Sequence, residues 1–265
     1  MLYVGRKNMV SNYCETFQST VLGRSVPVRF IVPQGKDLPC LFLLHGYGGD
    51  ENQWHKRTPI AQMAEEHKLV VVAPGCGDGY YEDTNEDMPR FLGEELLAYV
   101  RRTLPVSGTR ENSYIAGISI GGFGAVLVGM KYSEIFGKIA SLSGAFIIHD
   151  VAIGNTGVLS NADPEYFRSV FGDFESLEGS SRDPVAEAIR ISKTGKAPAL
   201  YLVCGQEDVL YPCNLKAVAA LRDNGIPVVW HGISGNHLWP FWNSVLPQVI
   251  RWLISGDIPD TAENS

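Results

Sequence analysis

From Cys40 onward, short apolar runs alternate with stretches of helical period, and this alternation confines the chain to few folds. The runs are Cys40–Leu44, Leu69–Ala73, Ser113–Gly117, Lys138–Leu142, Ala199–Cys204 and Val228–His231. Between them lie amphipathic stretches at Ile60–His67, Phe91–Leu104, Gly121–Tyr132, Asn214–Asn224 and Phe241–Ile254. In the second of these, Leu92, Leu96, Tyr99, Val100 and Leu104 share one face. Strands separated by helices build βαβ units, so the class is α/β: a mostly parallel sheet covered by helices on both faces. Pro247 is expected to kink the last helix or to mark its true first turn.

Two segments stand outside that rhythm. Residues 11–34 read as an N-terminal β-hairpin at a sheet edge, turning at Leu22-Gly23-Arg24. Residues 147–197 are rich in Gly, Asn, Ser, Asp and Pro, with short helices near Pro164–Val170 and Pro184–Ser192. Such an insert either shapes a binding site or packs as a surface excursion, and both readings stay open. No repeat, charge block or low-complexity stretch divides the chain, so residues 1–265 are expected to form one domain.

Composition removes whole classes of partner. With 22 Lys and Arg against 29 Asp and Glu, the formal net charge is −7, and the cations are scattered. Nothing neutralises phosphates in bulk, so neither nucleic acid nor an anionic membrane is expected as a partner. No apolar run approaches the ~18 residues of a membrane span, and the N-terminus does not read as a secretory signal. Cys14, Cys40, Cys76, Cys204 and Cys213 are odd in number and widely spaced. They support neither a disulfide framework nor a metal site, and a cytoplasmic location is expected.

The chemistry enters at Gly117-Ile118-Ser119-Ile120-Gly121, which follows a strand pattern and opens a helix pattern. Strand, sharp turn and helix around G-x-S-x-G are what a nucleophile elbow needs. A serine hydroxyl needs a base, and the base needs an orienting acid. Of the downstream histidines, His237 lies in a Gly/Asn loop after the last strand, where sites of α/β sheets collect. His231 ends a strand and reads as a satisfied structural residue, and His149 precedes any acid on a later strand. Glu207 and Asp208 both follow the strand Ala199–Cys204; Asp208 is preferred, with Glu207 as the alternative. The glycine-rich loop His45-Gly46-Tyr47-Gly48-Gly49 can aim the Tyr47 backbone N–H beside that of Ile120 as an oxyanion hole, with His45 supporting the loop. Gly46 and Trp239 are candidates for the pocket wall. The acidic, aromatic stretch Tyr80–Asp87 reads as a solvated loop, or else as pocket lining.

These motifs, in this order, resemble the esterase D family of serine esterases over residues 13–255. The family includes tributyrin esterases, S-formylglutathione hydrolases, feruloyl and acetylxylan esterases and mycolyltransferases. Ser119-Ile120-Gly121-Gly122, Cys204–Asp208 and His237-Leu238-Trp239 resemble the tributyrin esterase branch most, although the family more often has Met where this chain has Ile120. The resemblance implies an α/β-hydrolase fold, a cofactor-free Ser119–Asp208–His237 triad and a short-chain acyl ester as substrate. It makes a homo-oligomer unsurprising. The alternatives within the class are a thioesterase of the S-formylglutathione hydrolase type, a sugar-ester (acetyl or feruloyl) deacylase and an acyltransferase. Outside it stands an inactive hydrolase scaffold that serves as a binding module.

Overall fold

A computed structural model describes residues 10–154 and 164–257. Eight strands form one sheet in the order β1-β2-β4-β3-β5-β6-β7-β8. The hairpin β1 (Ser11–Ser19) and β2 (Arg24–Val32) occupies one edge and pairs antiparallel, as does β2 with β4 (Val70–Pro74). The rest is parallel: β3 (Cys40–Leu44), β5 (Ser113–Ile118), β6 (Lys138–Leu142), β7 (Ala199–Gly205) and β8 (Val228–Ile233). The expected α/β architecture and the edge hairpin are both present.

The helices are α1 (Gln53–Arg57), α2 (Ile60–His67), α3 (Met88–Arg90), α4 (Leu97–Thr103), α5 (Ile120–Lys131), α6 (Ile148–Ala152), α7 (Pro164–Phe171), α8 (Pro184–Ser192), α9 (Tyr211–Asp223) and α10 (Trp239–Ser255). Strand side chains alternate between two cores. Cys40, Phe42 and Leu44 of β3 join the core beneath α5, α8 and α9, while Leu41 and Leu43 join the one beneath α2 and α10. That period of two is the pleat of a strand buried on both faces.

Two expectations need correction. The helix expected over Phe91–Leu104 contains a π-helical stretch, Phe91–Leu96, before α4. Gly93 lies within it, and a Cβ there would collide with the Tyr132 ring. Pro247 does not open the last helix, because α10 begins at Trp239 with Pro240 in its first turn and runs on through Pro247. Its buried face, including Phe241, Val245, Val249 and Leu253, outweighs the ~3 kcal/mol that an interior proline costs. The insert carries α7 and α8 where short helices were expected, and α6 besides; residues 155–163 lie outside the described part.

Strand order reverses around β3, whose neighbours are β4 and β5. Loops that leave the carboxyl ends of strands at such a switch point diverge and open a crevice. The glycine-rich loop leaves β3 and the elbow leaves β5, and the two strands pair as far as Leu44 opposite Gly117.

Candidate active site

Ser119 sits between β5 and α5 with φ 55° and ψ −121°, a backbone conformation that non-glycine residues rarely adopt. Its surroundings hold it there. Its N–H donates to the Leu142 carbonyl at 3.0 Å, and its carbonyl accepts from Gly122, Phe123 and Ala145. The elbow also depends on absent side chains. A Cβ on Gly117 would strike the Gly121 carbonyl, and one on Gly121 would lie 2.6 Å from the Leu44 carbonyl oxygen. These two glycines let helix, strand and neighbouring loop close up behind the serine.

The structure brings the three side chains together. His237 Nε2 lies 3.1 Å from Ser119 Oγ, and His237 Nδ1 lies 2.8 Å from Asp208 Oδ2 and 3.0 Å from Oδ1. An ionised carboxylate only accepts, so Nδ1 carries the proton and Nε2 is left to accept from the serine hydroxyl. The Asp208 side chain is 0% exposed and that of His237 28% exposed. Burial alone would push the Asp208 carboxyl up. The hydrogen bond and charge of His237, the Leu210 N–H at 2.8 Å and the neighbouring Ser143 hydroxyl outweigh burial and hold it below its ordinary value.

The competing residues lie elsewhere. Glu207 is turned onto the Gly235 N–H and the Ser234 hydroxyl, which settles which of the two adjacent carboxylates meets His237. His149 pairs with Glu178 at 2.8 Å. His231 is buried on β8 against Tyr201, a structural position, yet its Nε2 finds no hydrogen-bond partner among the described residues, so it is not satisfied as expected. All five cysteines are free, and burial pushes Cys40 and Cys213 up to about 12 and Cys76 and Cys204 higher still.

The loop after β3 lies against the elbow. An added Cβ at Gly46 would sit 3.2 Å from Ile118 and 3.5 Å from the Ser119 Cβ. Gly46 N–H donates to Gln53 Oε1 at 3.0 Å and Gly48 N–H to Asp78 Oδ1 at 2.7 Å. Among the described residues no acceptor takes the N–H of Tyr47 or of Ile120. The Tyr47 side chain is 62% exposed and packs edge-on against Tyr166. Trp239 is half-buried and stands one ring removed from His237, because Trp242 packs edge-on against both. Ser143 and Asp78 carried no signal in the sequence, since they reach the site from loops distant along the chain; Leu210 and Gln53 act locally, through a backbone N–H and an amide that no motif marks.

The reading of Tyr80–Asp87 as a solvated loop holds only for part of it. Tyr80 and Tyr81 are fully buried, Tyr80 among Phe123, Phe167 and Phe171. Glu82 is buried too, accepting from the Thr84 hydroxyl at 2.6 Å. The aromatic partners come from α5 and α7, which no local pattern could supply.

His45 supports the loop as expected, in a defined state. Its Nε2 accepts the Cys76 N–H at 3.0 Å, so the proton is on Nδ1, which donates to the Gly46 carbonyl at 2.8 Å. Burial pushes its pKa down, against the pull of that carbonyl and of Asp78, Asp50 and Glu51. A histidine held neutral in the fold contributes fully above its unfolded pKa of ~6.5 and loses that contribution as pH falls towards the folded value. Between pH 7.5 and 5.5 the native protein should therefore lose on the order of 1 kcal/mol more stability in urea melts than His45→Asn. Parallel pH dependence in the two proteins would show that His45 is not the linked group.

Comparison with known proteins fits this geometry. The sequence model of the Esterase family, described as "Putative esterase", matches residues 19–253. An acetyl esterase of Caldicellulosiruptor saccharolyticus is 32% identical over 254 residues, covering 89% of this chain and 96% of that protein. Mouse S-formylglutathione hydrolase is 28% identical over 172 residues, which are 52% of this chain and 59% of that protein. Among solved structures, the fluorophosphonate-binding serine hydrolase FphF of Staphylococcus aureus superposes with a TM-score of 0.84 at 24% identity, over 93% of this chain and 99% of that one. The S-formylglutathione hydrolase FrmB of the same organism gives 0.82 at 25% identity, over 93% and 100%. The fold they share with this chain is that of α/β-hydrolases.

Proposed function

The chain belongs to the Esterase family and is a carboxylic ester hydrolase; from that premise we propose that it cleaves short-chain acyl esters through Ser119, His237 and Asp208. The observation that carries this reading is the continuous relay from Ser119 Oγ through both nitrogens of His237 to a buried carboxylate. In it, Ser119 Oγ attacks the ester carbonyl while His237 Nε2 takes the hydroxyl proton. Asp208 stays ionised and stabilises the imidazolium. The oxyanion is met by the N–H groups of Tyr47 and Ile120. His237 then returns the proton to the departing alcohol, leaving an acyl-Ser119 ester. Water, deprotonated by the same nitrogen, attacks that ester, and collapse releases the acid and restores the Ser119 hydroxyl.

The preference for short acyl chains, and placement in the tributyrin esterase branch, rest on the motifs around Ser119 and His237 and on the acetyl esterase relative. A cytoplasmic location belongs to the same proposal, supported by five free cysteines. The test is the initial rate on p-nitrophenyl acetate, butyrate and octanoate, beside S-formylglutathione and acetylated xylan. A rate highest on the two short esters and falling towards octanoate is expected. A rate confined to S-formylglutathione or to xylan would replace this reading by the thioesterase or the sugar-ester deacylase.

A further inference from the structure

The turn after β4 holds two consecutive bulky residues in the left-handed region, Tyr80 at φ 56° and Tyr81 at φ 59°. Cβ crowds the backbone there, so such residues persist only where their surroundings impose them, often beside a functional site. We propose that this turn exists to place Tyr81 as a positioning residue of the oxyanion loop, its phenol O–H clamping the His45 carbonyl so that the Tyr47 N–H stays aimed at the Ser119 acyl centre. The inference rests on the esterase reading above.

The argument is an account of peptide groups. Tyr81 Oη donates to the His45 carbonyl at 3.0 Å, and no other donor to that carbonyl occurs among the described residues. The N–H of the same peptide, that of Gly46, is held by Gln53 Oε1 at 3.0 Å, so the 45–46 peptide is gripped at both ends. In the next peptide the Gly46 carbonyl accepts from Gly49 N–H at 3.0 Å and from His45 Nδ1 at 2.8 Å. A trans peptide points its carbonyl and N–H in opposite directions, so pinning that carbonyl directs the Tyr47 N–H the other way. The Gly48 N–H is tied in turn to Asp78. Tyr47 alone in this run keeps a backbone N–H without an acceptor among the described residues.

Gly46 is the joint between the two peptides, and a glycine turns freely unless its neighbours stop it. The Tyr81 ring is a rigid prop. It packs at 5.6 Å from the His45 ring, and an added Cβ at Gly124 would lie 2.6 Å from it. Gly124 belongs to α5, the helix whose first residue is Ile120. One buried side chain thereby links the loop bearing one proposed oxyanion donor to the helix bearing the other.

Tyr81→Phe removes one oxygen and keeps the ring. Its kcat on p-nitrophenyl butyrate, per active site titrated with a phosphonate, should fall about tenfold, part of the 10²–10³ that loss of an oxyanion donor costs. KM should stay within about twofold, because the ground-state ester makes little use of the hole. A trifluoromethyl ketone, which adds Ser119 to form an anionic hemiketal, should bind about tenfold more weakly, while the unfluorinated ketone binds as before. Gln53→Met, which frees the other end of the same peptide, should show the same split, and Gln53→Glu should restore kcat; these also carry the test if Tyr81→Phe does not fold. Unchanged kcat per active site in a folded Tyr81→Phe overturns the clamp, and so does unchanged kcat in Gln53→Met if Tyr81→Phe does not fold. Full activity in Ser119→Ala would instead remove Ser119 as the nucleophile on which the reading beneath it rests.

Discussion

Ser119→Ala is expected to lower kcat by about six orders of magnitude, as loss of the nucleophile does where a complete triad acts as a unit. The substitution deletes one oxygen and nothing that holds the elbow. The bonds from the Ser119 N–H to Leu142 and from Gly122, Phe123 and Ala145 to its carbonyl are made by backbone and survive. Alanine must also adopt φ 55°, with a Cβ in the same place, so the strain is already present in the native protein. The variant should therefore melt close to the native temperature while turnover disappears. Assay on p-nitrophenyl butyrate, paired with a thermal melt and phosphonate labelling, reads both. Activity within about tenfold of native in a folded Ser119→Ala protein would mean that another nucleophile works here.

Asp208→Asn should cost about 10⁴ in kcat, for a reason visible in the hydrogen bonds. Leu210 N–H donates to Asp208 Oδ1 at 2.8 Å and would claim the one oxygen that asparagine retains. The amide nitrogen then occupies the place of Oδ2, 2.8 Å from His237 Nδ1. An NH₂ group facing Nδ1 forces that nitrogen to accept, which moves the ring proton to Nε2 and leaves Ser119 without a base. Shape and packing are preserved, so the loss should appear in kcat with little change in melting temperature. Glu207→Gln is the matched control. Its carboxylate is exposed and serves the 234–235 turn, so kcat should stay within about threefold. A larger loss from Glu207→Gln than from Asp208→Asn would reverse the assignment of the acid.

Strands β3 to β7 were legible to within a residue because each is a short apolar run buried along nearly its whole length, and hydrophobic periodicity records burial directly. Cys40–Leu44 and Lys138–Leu142 are strands to the residue. The helix over Phe91–Leu104 was legible in its buried face but not in its π-helical stretch, where Gly93 makes room for the ring of Tyr132, a residue on another helix-to-strand connection far along the chain. The stretch Tyr80–Asp87 was legible only in part, for Asp83, Thr84, Asn85 and Asp87 are exposed as a solvated loop should be. Its acidic residues indicate water, yet two tyrosines and Glu82 turn inward against elements far along the chain.

What the sequence determined by itself is local. Gly117, Ser119 and Gly121 can form an elbow because glycine tolerates the close approach, and the position of each chemical group along the chain already places it in a loop at one end of the sheet. Only the tertiary structure decided what meets what. Asp208 faces His237 while Glu207 turns away; His237, rather than His149 or His231, reaches Ser119; and in the loop after β3 the N–H of Tyr47 is left without an acceptor among the described residues. Adjacent residues such as Glu207 and Asp208 have nearly the same chemistry, so local propensity cannot separate them. The separation comes from register and crossover in an eight-stranded sheet, which bring loops over a hundred residues apart to one point, as the Ser119–His237 contact does.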